Sequence, residues 1–213
     1  VSGAIVLLSI VLVASRRRTK LPRNWGSASF LALYAVPFSF AYVSLPTGTG
    51  ALILFGVVQT TMLIAAISGG ERLRSIQWVG LAVALAGLVY LVLPGLHAPP
   101  IGGSLLMALA GVAWGMYSLR GRGSSDPVIS TASNFLYALP FVLIAQAASM
   151  ASGAATVTST GIVLAVASGA VASGLGYVVW YVALKGLTAT RASIVQLAVP
   201  AIAAGGGVIF MNE

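Results

Sequence analysis

The sequence predicts an all-α, polytopic membrane helix bundle built as an inverted repeat of five-helix units, with eight of about ten spans present. Three observations predict it. Of 213 residues, 59% are hydrophobic and 7% charged, with a mean hydropathy of +1.02, whereas a soluble domain carries about one quarter charged residues. The cations fall in alternate connectors between apolar stretches. Two distant segments resemble each other at matched spacing. A soluble enzyme or nucleic-acid binder is thereby excluded, and the net charge of +8, from 11 Lys and Arg against three acids, records topology and not a nucleic-acid partner. Cysteine is absent, which removes disulfides, thiol nucleophiles and Cys-based metal sites.

A helix needs about 20 apolar residues to cross a hydrocarbon core of about 30 Å. The first apolar stretch covers residues 2 to 15. A signal peptide places its positive charge before the apolar region, but Arg16, Arg17 and Arg18 follow this one, so it reads as a span. It is short and begins at Val1 without an initiator Met, so the chain is expected to be a fragment. Further spans are predicted at 27 to 45, 50 to 68, 76 to 93, 101 to 119, 129 to 149, 161 to 184 and 192 to 211. Pro37, Pro140 and Pro200 lie inside spans and are read as kinks, because membrane helices tolerate proline.

Charge placement tests this map. The first connector holds Arg16, Arg17, Arg18, Lys20 and Arg23, the third Arg72 and Arg74, the fifth Arg120 and Arg122, and the seventh Lys185 and Arg191. The second, fourth and sixth connectors hold no cation. Lys and Arg accumulate in cytoplasmic connectors, so the odd connectors are expected to be cytoplasmic and Val1 to lie on the outer side.

The repeat joins Tyr42-Val43-Ser44-Leu45 and Thr47-Gly48-Thr49-Gly50-Ala51 to Tyr181-Val182-Ala183-Leu184 and Thr188-Ala189-Thr190-Arg191-Ala192. Each copy leads into an apolar span ending in a glutamate, with 22 positions from Thr49 to Glu71 and 23 from Thr190 to Glu213. The matched spans are the third and the eighth. An odd offset reverses the direction of crossing, so the copies must be inverted. Spans one and six, two and seven, and three and eight then pair, and the fourth and fifth lack mates. The expected organisation is a first half over 1–97 missing its first helix and a second half over 98–213 missing its last.

Several motifs in order resemble the EamA-type exporters of the drug/metabolite transporter superfamily. They are Gly70-Glu71-Arg72-Leu73 followed by Gln77-Trp78-Val79-Gly80, then Ala113-Trp114-Gly115-Met116-Tyr117-Ser118 running into Gly121-Arg122-Gly123, then Asp126-Pro127, and the run from Tyr181 through Gln196-Leu197-Ala198-Val199-Pro200 to Asn212-Glu213. The resemblance covers nearly the whole chain. It implies an inner-membrane carrier whose two inverted halves enclose a central cavity and export amino acids or other small metabolites.

Secondary carriers place substrate near the midplane, so polar and aromatic groups there are the candidate site. Gln59 and Gln196 lie in the two repeat-matched spans, where an amide is costly against lipid and useful against an amino-acid backbone or a sugar hydroxyl. Interhelical hydrogen bonding is the competing role for both. Trp114, Tyr117, Trp180, Tyr177 and Tyr34 are candidate cavity walls, against a competing role as interfacial anchors, and Asn134 and Tyr137 are weaker candidates. Pro200, like Pro37, frees a backbone carbonyl that can meet a ligand or let a helix bend. Gly80 with Ala84, and Ala170 with Gly174, have the spacing of close helix packing.

The expected function is therefore secondary export of a neutral or zwitterionic metabolite by alternating access, the two halves rocking about an uncharged cavity. No cofactor and no metal are expected; the expected partners are the small-molecule metabolite and the lipid bilayer, with a homodimer admitted and no nucleic acid. Two rival readings are a membrane lipid enzyme built on Asp126, Arg120 and Arg122, and a structural or regulatory subunit that carries no cargo.

Overall fold

The computed structural model describes residues 2–14, 21–92, 99–153, 158–200 and 202. Among these, eight helices occur and no strand: α1 Ser2–Ala14, α2 Trp25–Ala41, α3 Thr47–Ser68, α4 Ser75–Val92, α5 Ile101–Gly121, α6 Pro127–Ala151, α7 Ser159–Leu184 and α8 Ala189–Gln196. The first seven predicted spans each coincide with one helix, the eighth overlaps α8 at its start and lies largely outside the described residues, and the protein is an all-α membrane helix bundle. Helices α3, α5, α6 and α7 are long and apolar enough to cross a bilayer, and α1, α2 and α4 are shorter apolar helices. Arg16 to Lys20, His97, Gly205 to Gly207 and Glu213 lie outside the described residues.

Helix boundaries follow local chemistry. Helix α2 ends at Ala41, short of the predicted 45, and the chain turns through Leu45. Pro46 is the cause, because the residue before a proline is driven out of the helical region. Pro46 itself, at φ −59°, starts α3 three residues earlier than predicted. Asp126 caps α6 by accepting the Ile129 amide at 3.0 Å, with Pro127 as the first helical residue. Thr158 and Thr188 do the same for α7 and α8, accepting the amides of Gly161 at 3.1 Å and Arg191 at 3.2 Å. Pro37 and Pro140 lie within continuous helices as expected. At the end of α3 the chain reverses on Gly70, whose φ of +84° is left-handed and favours glycine.

Unanticipated by the sequence, the middle of α7 is wound as a π-helix from Ser168 to Leu175. The wider turn falls where α1 comes closest: a Cβ on Gly174 would lie 3.2 Å from the Gly3 Cα and 3.4 Å from its carbonyl oxygen. The backbone approach expected at Gly174 is therefore present, and it coincides with the altered winding. Gly80 differs from expectation. A Cβ there would meet nothing within 4 Å, because this side of α4 faces outward with Trp78, Val79 and Val83.

The chain forms two compact units, Val1–Val36 with Arg120–Gly186, and Pro37–Leu119 with Leu187–Glu213. The first unit contains α1, α6, α7 and the first part of α2, packed around Leu7, Val11 and Ala132 with Phe135 and Val178 alongside. The second contains α3, α4, α5 and α8, with Leu81 and Leu197 packed against Leu52, Phe55, Leu63 and Leu85. Each unit thus draws on both sequence halves. Spans one and six share one unit, and spans three and eight share the other. Large apolar side chains such as Ile162, Val163 and Leu164 on α7 and Val79 and Val83 on α4 are exposed, as expected of surfaces solvated by lipid.

Candidate functional site

The polar cluster lies in the second unit, where α3, α5 and α8 meet. Helix α5 can approach α3 because Gly111 and Gly115 stand one turn apart on its contact face. A Cβ on Gly111 would lie 2.8 Å from the Val57 side chain and 3.0 Å from the Leu54 carbonyl, and one on Gly115 would lie 3.0 Å from Thr61. This approach seats Trp114 against α8. Its indole N–H donates to the carboxamide oxygen of Gln196, whose amide nitrogen donates to the Met62 sulphur at 3.1 Å. One turn away, Gln59 Nε2 donates to Ser193 Oγ at 3.1 Å, and Ser193 Oγ donates to the Thr190 carbonyl at 2.8 Å. The Trp114 ring lies 5.7 Å from the fully buried Tyr117 ring, tilted by 31°.

Both glutamines are buried, at 3% and 4% exposure, and both make the interhelical hydrogen bonds that compete with a substrate role. Yet the cluster is incomplete. Gln59 Oε1 is buried and has no hydrogen-bond partner among the described residues. An unpaired buried acceptor costs about 1–3 kcal/mol, and Ser193 cannot relieve it because its hydroxyl proton is already directed to Thr190.

Of the residues singled out in the sequence, the structure brings Gln59, Gln196 and Trp114 together. Pro200 is buried one turn beyond Gln196, after a break in the helix at Leu197. Tyr177, Trp180 and Tyr34 belong to the first unit and are half-buried there. Tyr177 packs edge-on against Phe135 at 5.6 Å. In the same unit Asn134 donates to the Tyr181 hydroxyl at 3.4 Å, and Trp25 packs on Tyr137 at 4.9 Å. Sequence reasoning missed Ser193 and Met62, which carry no distinctive signature. It also passed over Gly111 with Gly115, whose four-residue spacing was visible.

The cationic connectors gather within each unit. In the first, Arg120 donates to Ser27 Oγ at 3.0 Å and to Asn24 Oδ1 at 3.2 Å, and Lys185 Nζ donates to the Ser125 carbonyl at 2.6 Å. First, fifth and seventh connectors therefore meet at one end. In the second, a cleft of about 330 Å³ is lined by Arg74, Gln77, Leu187 and Arg191. Beside it the Glu71 carboxylate accepts from the amides of Ala189 at 2.9 Å and Thr190 at 3.2 Å and from the Thr190 hydroxyl at 2.9 Å. Third and seventh connectors therefore meet too. The Asp126–Arg120 pairing that a lipid enzyme would need is not formed: Asp126 caps α6 and Arg120 holds the first connector.

Comparison with known proteins agrees with this architecture. The model of the EamA-like transporter family matches residues 101–213. An uncharacterized protein of Pseudomonas aeruginosa is 48% identical over 212 residues, spanning 100% of this chain and 73% of that protein. A protein of Escherichia coli named "Probable amino-acid metabolite efflux pump" is 25% identical over 92% of this chain and 71% of its own length. A "Probable terminal-alkyne amino-acid exporter" of Streptantibioticus cattleyicolor is 24% identical over 87% of this chain and 63% of its own length. One solved crystal structure superposes with a TM-score of 0.79 at 20% identity, covering 98% of this chain and 75% of that one, which establishes likeness of fold. With a family match over more than half its length and a close relative along all of it, this multi-pass membrane protein belongs to the EamA-like transporter family and is a transporter, not an enzyme.

Proposed function

We propose that the transporter exports small neutral or zwitterionic metabolites, amino acids foremost, across the bacterial inner membrane by alternating access. The observation that carries this reading is the unspent oxygen of Gln59 beside Ser193, Gln196 and Trp114. A substrate ammonium or amide N–H donating to that oxygen would offset the cost of its burial. The carboxylate end of an amino acid would then find only neutral donors, namely the Gln59 amide, the indole and a hydroxyl, once these release their present partners. Such dipoles suit a zwitterion whose two charges compensate each other. They suit a phosphate ester or a dication poorly, since no side chain of the cluster carries a countercharge. The names of the Escherichia coli and Streptantibioticus cattleyicolor relatives point to the same substrate class.

No carboxylate belongs to the cluster, so the proposed export runs down the substrate gradient without a proton carrier in it. The test is efflux of labelled leucine, threonine and phenylalanine from vesicles containing the full-length protein, with and without a pH gradient, and with glucose 6-phosphate as the anionic comparison. Efflux of at least one neutral amino acid, insensitive to the pH gradient, is expected. Transport confined to the phosphate ester, or strictly dependent on protons, would overturn the reading.

A further inference from the structure

The cleft beside the first turns of α4 and α8 gathers two guanidiniums that the fold leaves unspent. Arg74 comes from the third connector and Arg191 from the first turn of α8, far apart in sequence, yet both line one space of about 330 Å³. Their backbones are pinned: the Arg74 amide donates to Gln77 Oε1 at 2.7 Å and the Arg191 amide to the Thr188 hydroxyl oxygen at 3.2 Å. Their side chains are exposed, and neither guanidinium has a hydrogen-bond or ion-pair partner among the described residues. By contrast, Arg120 is spent on Ser27 and Asn24, and Lys185 on the Ser125 carbonyl. Both unspent cations also stand at the positive end of a helix dipole, Arg74 immediately before α4 and Arg191 within α8, where a negative charge is favoured and a positive one is not. The nearby Glu71 carboxylate is turned to the amides of Ala189 and Thr190 and is not part of the cleft lining. Two like charges converging at two positive helix ends favour an anion between them.

Below this cationic rim the lining is apolar, with Ile76, Leu187 and Val195. Exposed apolar surface continues from it along both helices, through Val79 and Val83 on α4 and Val199 past the end of α8. Leu81 and Leu197 close the seam between the two helices. A soluble anion would use the rim alone, whereas an amphiphile uses rim and wall together: its phosphate meets the planar guanidinium forks and its acyl chain follows the helices. The cations of the odd connectors mark the cytoplasmic face, which fixes the leaflet. We propose that Arg74 and Arg191 bind the phosphate of one anionic phospholipid of the cytoplasmic leaflet, with Gln77 Nε2 as a further donor and the acyl chain lying against Ile76 and Val195. The cleft volume suits a headgroup, and the chains remain on the open helix faces. Such a headgroup ties the third connector to the seventh, and the site stands whichever metabolite is carried.

Native mass spectrometry counts the bound copies. The full-length protein in detergent is titrated with phosphatidylglycerol, with phosphatidylethanolamine, or with glycerol 3-phosphate as the soluble anion. One phosphatidylglycerol is expected to be held about tenfold more tightly than phosphatidylethanolamine. Arg74→Gln with Arg191→Gln should abolish that preference, and Arg72→Gln should leave it intact. Equal retention of the two lipids, or a preference unchanged in the double variant, would overturn the proposal. Glycerol 3-phosphate bound as tightly as phosphatidylglycerol would overturn it too, since the arginines would then serve a soluble anion. If the double variant fails to assemble, the thermal unfolding midpoint of the unaltered protein decides: phosphatidylglycerol should raise it more than phosphatidylethanolamine, and equal shifts would count against the site.

Discussion

Gln59 has committed its nitrogen to Ser193 and kept its oxygen buried and unmatched. That asymmetry separates a structural glutamine from one held ready for a ligand. Gln59→Met keeps the volume and removes the orphan oxygen, so the midpoint of unfolding in detergent should shift by less than about 1 kcal/mol in stability. Efflux of the neutral substrate should fall about tenfold, the value of one hydrogen bond of about 1.4 kcal/mol. A large loss of stability with unchanged efflux would mean that the residue only holds helices together. Gly121 is constrained differently: a Cβ there would lie 2.5 Å from Cζ of the buried Tyr181 ring. Gly121→Ala should therefore lower stability by about 1–3 kcal/mol, while Gly80→Ala, with nothing within 4 Å, should stay within about 0.5 kcal/mol. Thermal unfolding of the two variants side by side checks both values. Gln59 and Gln196 could be found from sequence because an amide inside an apolar helix is costly and stands out. Their partners could not, since a serine or a methionine in such a helix is unremarked until the helices are docked.

Elements show the same division. Spans were legible because lipid imposes a length and a composition on anything that crosses it. Their ends were legible only where a proline or a capping side chain acts locally, as at Asp126-Pro127. The π-helical turn of α7 coincides with the approach of Gly3 on α1 to Gly174, a contact between residues far apart in sequence, so no local pattern announces it. The first turn of α8 likewise depends on Glu71, more than a hundred residues earlier. Removing that carboxylate by Glu71→Ala leaves two amides and a hydroxyl without their acceptor. A loss of about 2 kcal/mol is expected from hydrogen bonds to a charged group, together with faster hydrogen exchange at Ala189 and Thr190 than elsewhere in α8. Unchanged exchange at these two amides would show that water or another group replaces the carboxylate without cost.

For the whole molecule, each compact unit draws on both sequence halves, the arrangement expected of the inverted repeat read from the sequence. Helices α3 and α8 run antiparallel within their unit: Met62 faces Gln196, and nine residues further along α3 Glu71 faces Ala189. That is the relation an odd offset of spans requires. The alternating cations had already implied it, since charge sidedness is set by topology and survives any uncertainty in helix ends. What the sequence left open was the docking of each helix on its neighbours, which depends on glycine contacts such as Gly111 and Gly115 and on the altered winding of turns such as that in α7. The most direct measurement uses single cysteines in the cysteine-free chain, placed at Arg23, Arg74, Arg122 and Lys185, and at Thr47, Pro99 and Ser152, and labelled from outside intact cells with an impermeant maleimide. The account predicts that the first four are protected until the membrane is opened and the last three react at once. Finding Arg23 and Lys185 on opposite faces would contradict it.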